Sequence, residues 1–179
     1  MNERSRNPDG TDRNARADGS GADAAAPENT VVRRATRSDL LDVYRIEKSS
    51  FSQPWPYSAF ETFLEEPGFL VAVRGPAVVG YVVADVMPNH GRGIGHVKDI
   101  AVRPDARGAG LGRYLLERAL VALTIDGATL VKLEVRVGNE PAISLYRDVG
   151  FERARRVPGY YADGEDAFVM VLDLDAWQA

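Results

Sequence analysis

The chain has 179 residues, 45% of them hydrophobic and 27% charged, with a net charge of −4. This is the length and composition of one globular domain able to bury a core. The acid excess removes the electrostatic case for nucleic acid as the main partner, the lack of any cysteine excludes disulfides and a cysteine acyl-enzyme, and no apolar run approaches the ~18 residues of a membrane span.

Residues 1–30 carry no large apolar side chain after Met1, and their four arginines and six acids sum to −2. Such a segment buries too little apolar surface to offset the entropy of ordering it. A disordered tail, 1–30, is therefore expected ahead of one folded domain, 31–179. The tail has no apolar h-region and is not a signal or transit peptide, so a cytoplasmic protein is expected.

The first strand is predicted at residues 31–35. Thr36 and Asp39 have capping-box spacing, with Asp in place of Glu. Leu40, Val43, Tyr44 and Glu47 then follow helical spacing. Phe51-Ser52-Gln53-Pro54-Trp55-Pro56 is a stiff, aromatic loop, after which Ser58 and Glu61 predict the cap of a short helix through Leu64. Strands are expected at 69–74 and 78–87, joined by a Gly75-Pro76 turn. The glycines at 91, 93 and 95 predict a turn into the next strand, with His90 as a loop residue.

Residues 97–102 are apolar enough for a buried strand, which Pro104 stops. Arg107-Gly108-Ala109-Gly110-Leu111-Gly112 then turns into a helix predicted over 110–125. The leading N–H groups of that helix lack intrahelical partners and carry the positive end of its dipole. Glycines let an anion approach the backbone, so the turn is a candidate phosphate cradle. It is not a dinucleotide fingerprint, because position 113 is Arg113, and it has no Gly-Lys-Ser/Thr of a Walker loop.

Residues 130–135 predict a strand with Val131, Leu133 and Val135 on one face and Lys132, Glu134 and Arg136 on the other. By pattern alone this is a half-exposed strand with a solvated charged face. A helix follows over 139–149, closed by Gly150. Asn139 and Tyr146 lie two turns apart on it, and Tyr146 among Ile143, Leu145 and Val149 reads first as core. Strands at 151–157 and 167–174 are expected to pair across the intervening loop. There is no Gly-x-Ser-x-Gly elbow, and the two histidines, His90 and His96, are too few for a metal site, so none is expected.

Two motifs carry a family resemblance. Arg107, Gly110 and Gly112, with Ile100-Ala101-Val102 before them and Leu115-Leu116 after, resemble the coenzyme A loop of the GNAT acyltransferases. Leu133-Glu134-Val135-Arg136, Asn139, Ala142-Ile143, Leu145-Tyr146 and Gly150-Phe151 resemble the second signature of the ribosomal-protein-alanine (RimI-type) and archaeal N-terminal acetyltransferases. Tyr160-Tyr161 with Gly164-Glu165-Asp166-Ala167, and Phe51 with Pro54-Trp55, resemble the two walls of the peptide groove in those enzymes. The resemblance runs from about residue 31 to 174. It implies an α/β (α+β) GNAT fold, with a mixed sheet of about seven strands and helices on both faces.

The resemblance further implies transfer of an acetyl group from acetyl-CoA to the N-terminal α-amine of a protein or peptide, a ribosomal protein among them, in a ternary complex without metal. It implies Glu134 as the base, acting through water, and Tyr146 as the acid beside the coenzyme sulfur. Ile100, Ala101 and Val102 would meet the pantetheine arm, residues Arg107, Gly108, Ala109, Gly110, Leu111 and Gly112 the pyrophosphate, and Asn139 and Tyr146 the coenzyme. Phe51, Trp55, Tyr160 and Tyr161 would line the peptide site, and His96 would be a structural or substrate-side histidine. A monomer or weak dimer without nucleic-acid or membrane partners is expected. Two rivals stay open, an acetyltransferase of a small amine and a non-catalytic acetyl-CoA-binding module; the presence of both Glu134 and Tyr146 argues against the second.

Overall fold

A computed structural model of the chain describes residues 26–27, 29–89 and 92–177. Most of the expected tail, and His90 with the centre of its turn, lie outside them. The elements run β1 (Val31–Arg34), α1 (Leu40–Ser50), α2 (Tyr57–Thr62), β2 (Leu70–Arg74), β3 (Ala77–Asn89), β4 (Arg92–Val102), α3 (Leu111–Ile125), β5 (Ala128–Arg136), α4 (Glu140–Val149), β6 (Glu152–Val157) and β7 (Ala167–Asp173). The order of helices and strands is the one the periodicities predict.

The seven strands form one sheet in the order β1-β2-β3-β4-β5-β7-β6. Every neighbouring pair is antiparallel except β4 and β5, which are parallel and joined through α3. One apolar layer joins Leu111, Leu115, Leu116 and Leu123 of α3 and Ile143 and Tyr146 of α4 to Val97, Val131 and Leu133 of the sheet. A second layer joins Leu40, Val43 and Ile46 of α1 and Phe60 of α2 to Val71, Tyr81, Val83 and Ala101. Helices thus cover both faces, which buries residues 78–84 of β3 on both sides and explains their continuous apolar run.

Local signals account for most boundaries. The Asp39 carboxylate accepts from the Thr36 N–H and hydroxyl at 2.8 Å each, and from Arg33 at 2.7 and 2.8 Å. These bonds, the Arg33 guanidinium first, hold Asp39 down at a pKa of about 2. A 3₁₀ turn at Arg37–Asp39 then leads into α1. Gly150 closes α4 at φ +114°, and the amides of Gly150 and Phe151 return to the Tyr146 carbonyl.

Two expectations are corrected. Ser58 does not cap α2: Pro56, extended at φ −68° and ψ 150°, stands at the N-cap, and the helix starts at Tyr57 and ends at Thr62 rather than Leu64. The proline ring already sets the φ that a helix entry needs, so the start falls directly behind it. Gly93 and Gly95 are not turn residues but lie inside β4, opposite Pro88 and Val86. Their role is close approach. A Cβ on Gly93 would stand 2.6 Å from the Gly127 carbonyl oxygen, and one on Gly95 would stand 3.0 Å from Leu123 and Val131.

Gly93→Ala should therefore destabilise the fold by roughly 1–3 kcal/mol, since backbone must shift to admit the methyl group. Urea unfolding monitored by circular dichroism measures this; an unchanged midpoint would show that the contact between β4 and the turn before β5 is not tight.

Candidate active site

β4 and β5 part company at mid-sheet. Their parallel ladder runs from Gly93↔Ala128 to Val97↔Leu133 and stops, although β4 continues to Val102 and β5 to Arg136. Each strand stays paired on its outer edge over the same stretch, β4 to β3 and β5 to β7. The register of β3 against β4 passes from Ala84↔Val97 to Val83↔Asp99, so Lys98 is an extra residue in β4. Such a bulge bends and twists its strand, and here it falls where the strands separate. The result is a wedge whose β4 wall has no β5 partner from residue 98 onward, and buried backbone polar groups demand partners. Ile100, Ala101 and Val102 lie on this wall.

At its mouth β4 passes through a short 3₁₀ turn, Pro104–Ala106, to the glycine loop and α3. Gly108 and Gly110 adopt φ +81° and +75°, with open space where a Cβ would be. No side chain caps α3, whereas Asn139 caps α4 by accepting from the Ala142 N–H. The first amides of α3, from Leu111 and Gly112 onward, are therefore free to meet an anion. The Arg107 side chain is turned back: its Nε donates to the Val102 carbonyl at 2.9 Å and its Nη2 to Ser50 Oγ at 3.2 Å. The cradle is built of backbone, with Arg107 bracing it against β4 and α1, while Ala109 is exposed and Leu111 anchors the loop in the core. Asn139 is spent as a cap, with its amide NH₂ still exposed.

On the charged face of β5, Glu134 Oε2 lies 2.6 Å from His96 Nε2, and Glu134 Oε1 lies 3.4 Å from Lys132 Nζ. Lys98 Nζ stands 3.3 Å from His96 Nδ1 and 3.1 Å from Asp85. An ammonium only donates, so Nδ1 accepts and Nε2 bears the hydrogen that Glu134 receives. The His96 hydrogen bond first, opposed by burial and aided by the Lys132 ammonium, keeps the Glu134 carboxyl below its ordinary range. Glu134 is thus anionic at neutral pH.

Tyr146 is 7% exposed on α4, and its hydroxyl has no hydrogen-bond partner among the described residues. Burial first, then the nearby Asp99 and Tyr161, push its pKa up, so it keeps its proton. Over the wedge, Tyr160 and Tyr161 meet edge to face at 5.0 Å. Arg136 lies 3.9 Å over the Tyr161 ring and binds Asp163 at 2.8 Å and Glu165 at 2.7 Å, which ties this loop to the end of β5. Burial leads in raising Tyr161 to about 12, with Glu134 among the charges that it feels. On the α1–α2 side Trp55 packs against Phe60 and Phe63, while Phe51 is 38% exposed.

The charged partners of this wall were not legible as a set. His96 was expected only as a structural or substrate-side group, and Lys98, Asp85, Glu47, Tyr81 and Asp99 were assigned no role. A signal did exist: Lys98 and Asp99 interrupt an apolar strand, and Glu47 sits on the buried stripe of α1.

The acetyltransferase (GNAT) family matches residues 40–151. The N-alpha-acetyltransferase of Sulfolobus acidocaldarius is 39% identical over 82% of this chain and 94% of its own length. The N-alpha-acetyltransferase RimI of Mycobacterium tuberculosis is 34% identical over 83% of this chain and 96% of its own. Among solved structures, the ribosomal-protein-S18-alanine N-acetyltransferase of Escherichia coli is similar with a TM-score of 0.72 and 29% identity, covering 84% of this chain and 96% of that one.

Gly110→Arg puts a residue with a Cβ at a left-handed backbone position, φ +75°, and places a long side chain across the free amides. It should weaken coenzyme A binding by roughly 100-fold, the equivalent of one or two hydrogen bonds to a charged group. Isothermal titration calorimetry checks this, and unchanged affinity would remove the cradle from the site.

Proposed function

The chain belongs to the acetyltransferase (GNAT) family and is an N-terminal acetyltransferase that moves the acetyl group of acetyl-CoA to the α-amine of a protein or peptide, and we propose that Glu134 and Tyr146 are its proton-transfer groups. The observation that carries this reading is the wedge itself. A carboxylate with a fixed hydrogen-bond partner stands on its β5 wall, and an unpartnered buried phenol stands on α4 behind it.

The residues present fit the coenzyme. Bare glycines and uncapped helix amides suit its pyrophosphate, and the unpaired edge of β4 suits the amide groups of its pantetheine arm. Acetyl-CoA supplies an activated thioester carbonyl. The chain's own task is to bring a neutral amine to it and to return a proton to the sulfur.

A free N-terminus has a pKa of about 7.7–8.0 and is largely protonated at pH 7. The anionic Glu134 attracts that ammonium and accepts its proton through water. His96, donating from Nε2, fixes the carboxylate's orientation, and Lys98 fixes the His96 tautomer; both are positioning residues. Tyr146 holds its proton at working pH and directs it at the departing sulfur, stabilising the thiolate charge as it develops; a proton passed to sulfur is restored to the phenolate, the stronger base, from water. Tyr160 and Tyr161 on one side and the Trp55 loop on the other form the walls for the peptide's first residues.

A cytoplasmic monomer or weak dimer acting on a ribosomal protein is the finer form of this reading, and its support is the likeness to the two bacterial enzymes. No helix among the described residues is long and apolar enough to cross a membrane.

Glu134→Gln should lower kcat on a peptide roughly 100-fold or more, the scale of a lost general base, while acetyl-CoA affinity stays within twofold. Weakened coenzyme binding at an unchanged rate would reverse the assignment. Acetyl-CoA turnover should appear with short peptides beginning Ala, Ser, Thr, Met-Leu or Met-Glu and vanish when their N-termini are blocked. Turnover confined to spermidine or an aminoglycoside would make the chain a small-amine acetyltransferase instead.

A further inference from the structure

On the same α1–α2 face of the sheet as Glu134, beneath α1, lies a second polar chain that the transfer does not use. Glu47 is 1% exposed in the middle of α1. Its Oε1 accepts the backbone N–H of Trp55 at 2.7 Å, and its Oε2 lies 2.5 Å from the Tyr81 hydroxyl. That hydroxyl lies 2.8 Å from Asp99 Oδ2. The chain therefore runs from the Trp55 loop, through α1 and β3, to the residue that follows the bulge in β4.

The proton count constrains it. Two oxygen–oxygen contacts meet at one hydroxyl, and a hydroxyl has a single hydrogen to give. Tyr81 donates to one carboxylate and must accept from the other, so one of the two carboxyls carries a proton. The alternative is a buried oxygen–oxygen repulsion, which costs as an unmade hydrogen bond does. The groups facing the chain are Glu47 and the Trp55 amide from the α1–α2 side, Tyr81 from β3, the Ile100 amide beside Asp99, and the Tyr146 hydroxyl from α4. None of these is a cation that could replace the proton, and Lys98, turned to the same face, is engaged by Asp85 at 3.1 Å and His96 at 3.3 Å.

We propose that Glu47, Tyr81 and Asp99 form a one-proton latch that holds the Trp55 wall of the peptide site against the cleft edge of β4, which makes Asp99 a positioning residue for the peptide. The proposal rests on the N-terminal acetyltransferase reading for its substrate, but the latch itself is a property of the fold. Burial first, and then the charge of Glu47, push the Asp99 carboxyl well above the ordinary carboxylate range, so the latch is closed at neutral pH. Burial likewise leads in pushing Tyr81 far up, so its hydroxyl stays protonated. When alkali takes the shared proton, Tyr81 keeps one carboxylate and loses the other, and the Trp55 loop is released from β4.

The experiment uses the full chain with Trp177→Phe, which leaves Trp55 as the single tryptophan of the two in the sequence. Its emission is followed from pH 5 to 9.5. One transition on the alkaline side is expected. Asp99→Asn should flatten it, because the amide NH₂ donates to Tyr81 at every pH. Tyr81→Phe, a second and sterically mild variant, should flatten it by cutting the link. No transition in the parent, or one that survives both variants, overturns the latch.

In turnover, the peptide KM of the parent relative to Asp99→Asn should rise threefold or more across the same pH range, with the acetyl-CoA KM ratio constant. A ratio independent of pH would overturn the positioning role. The emission arm needs no turnover. Silence on peptides with a normal titration therefore counts against the proposed substrate, and a flat titration with normal turnover counts against the latch.

Discussion

The structure depends on the parting of β4 from β5 after Val97 and Leu133. Two parallel strands at the centre of a sheet ordinarily satisfy each other along their whole length. Here one extra residue, Lys98, turns β4 aside, and the outer edges stay bonded to β3 and β7, so the sheet opens without unravelling. The opening lies at the carboxyl ends of both strands, where the loop into α3 begins, the usual place for a ligand in a sheet with parallel strands. Backbone groups that would have closed a ladder are left for a substrate with amides of its own.

The same extra residue decides the electrostatics. Lys98 stands 5.7 Å over the Phe63 ring and Asp99 meets Tyr81, so two consecutive residues turn toward the α1–α2 layer. Strict alternation would have sent Asp99 toward the apolar layer under α3, where an isolated charge is prohibitively costly. Instead that face of the sheet carries two small networks side by side: His96, Glu134, Lys132, Lys98 and Asp85 form one, and Glu47, Tyr81 and Asp99 form the other. The first keeps a carboxylate charged and the second keeps a carboxyl protonated. Environments that push acids in opposite directions within one site are a common basis for dividing proton work between them.

Much of this was readable from local pattern. The alternation in β5 put Glu134 on the face opposite Val131, Leu133 and Val135, and the structure agrees because a buried strand face tolerates no charge. Gly150 announced the end of α4, and Pro104 the end of β4, through conformations that few other residues accept. The glycine turn was legible as well, since Gly108 and Gly110 take the positive φ that glycine favours and no side chain caps α3. Local cues misled where two of them competed. Ser58 looked like a cap, but Pro56 had already set the helix entry, and Gly93 and Gly95 looked like turn residues although packing against the turn before β5 and against α3 is what forbids them a side chain.

The sequence by itself determined the order of the elements, the two faces of β5 and the glycine turn that leads into α3, because caps, turns and periodicities are set by residues within a turn or two of one another. Only the tertiary structure decided where the central ladder ends, that Arg107 braces the loop rather than facing out, that His96 is the partner of Glu134, and that one proton is shared by Glu47, Tyr81 and Asp99. Those outcomes join residues 38 positions apart in the His96–Glu134 pair and 34 and 18 apart in the latch. A register between strands and a proton held in common are properties of a meeting place, and a linear pattern does not contain the meeting.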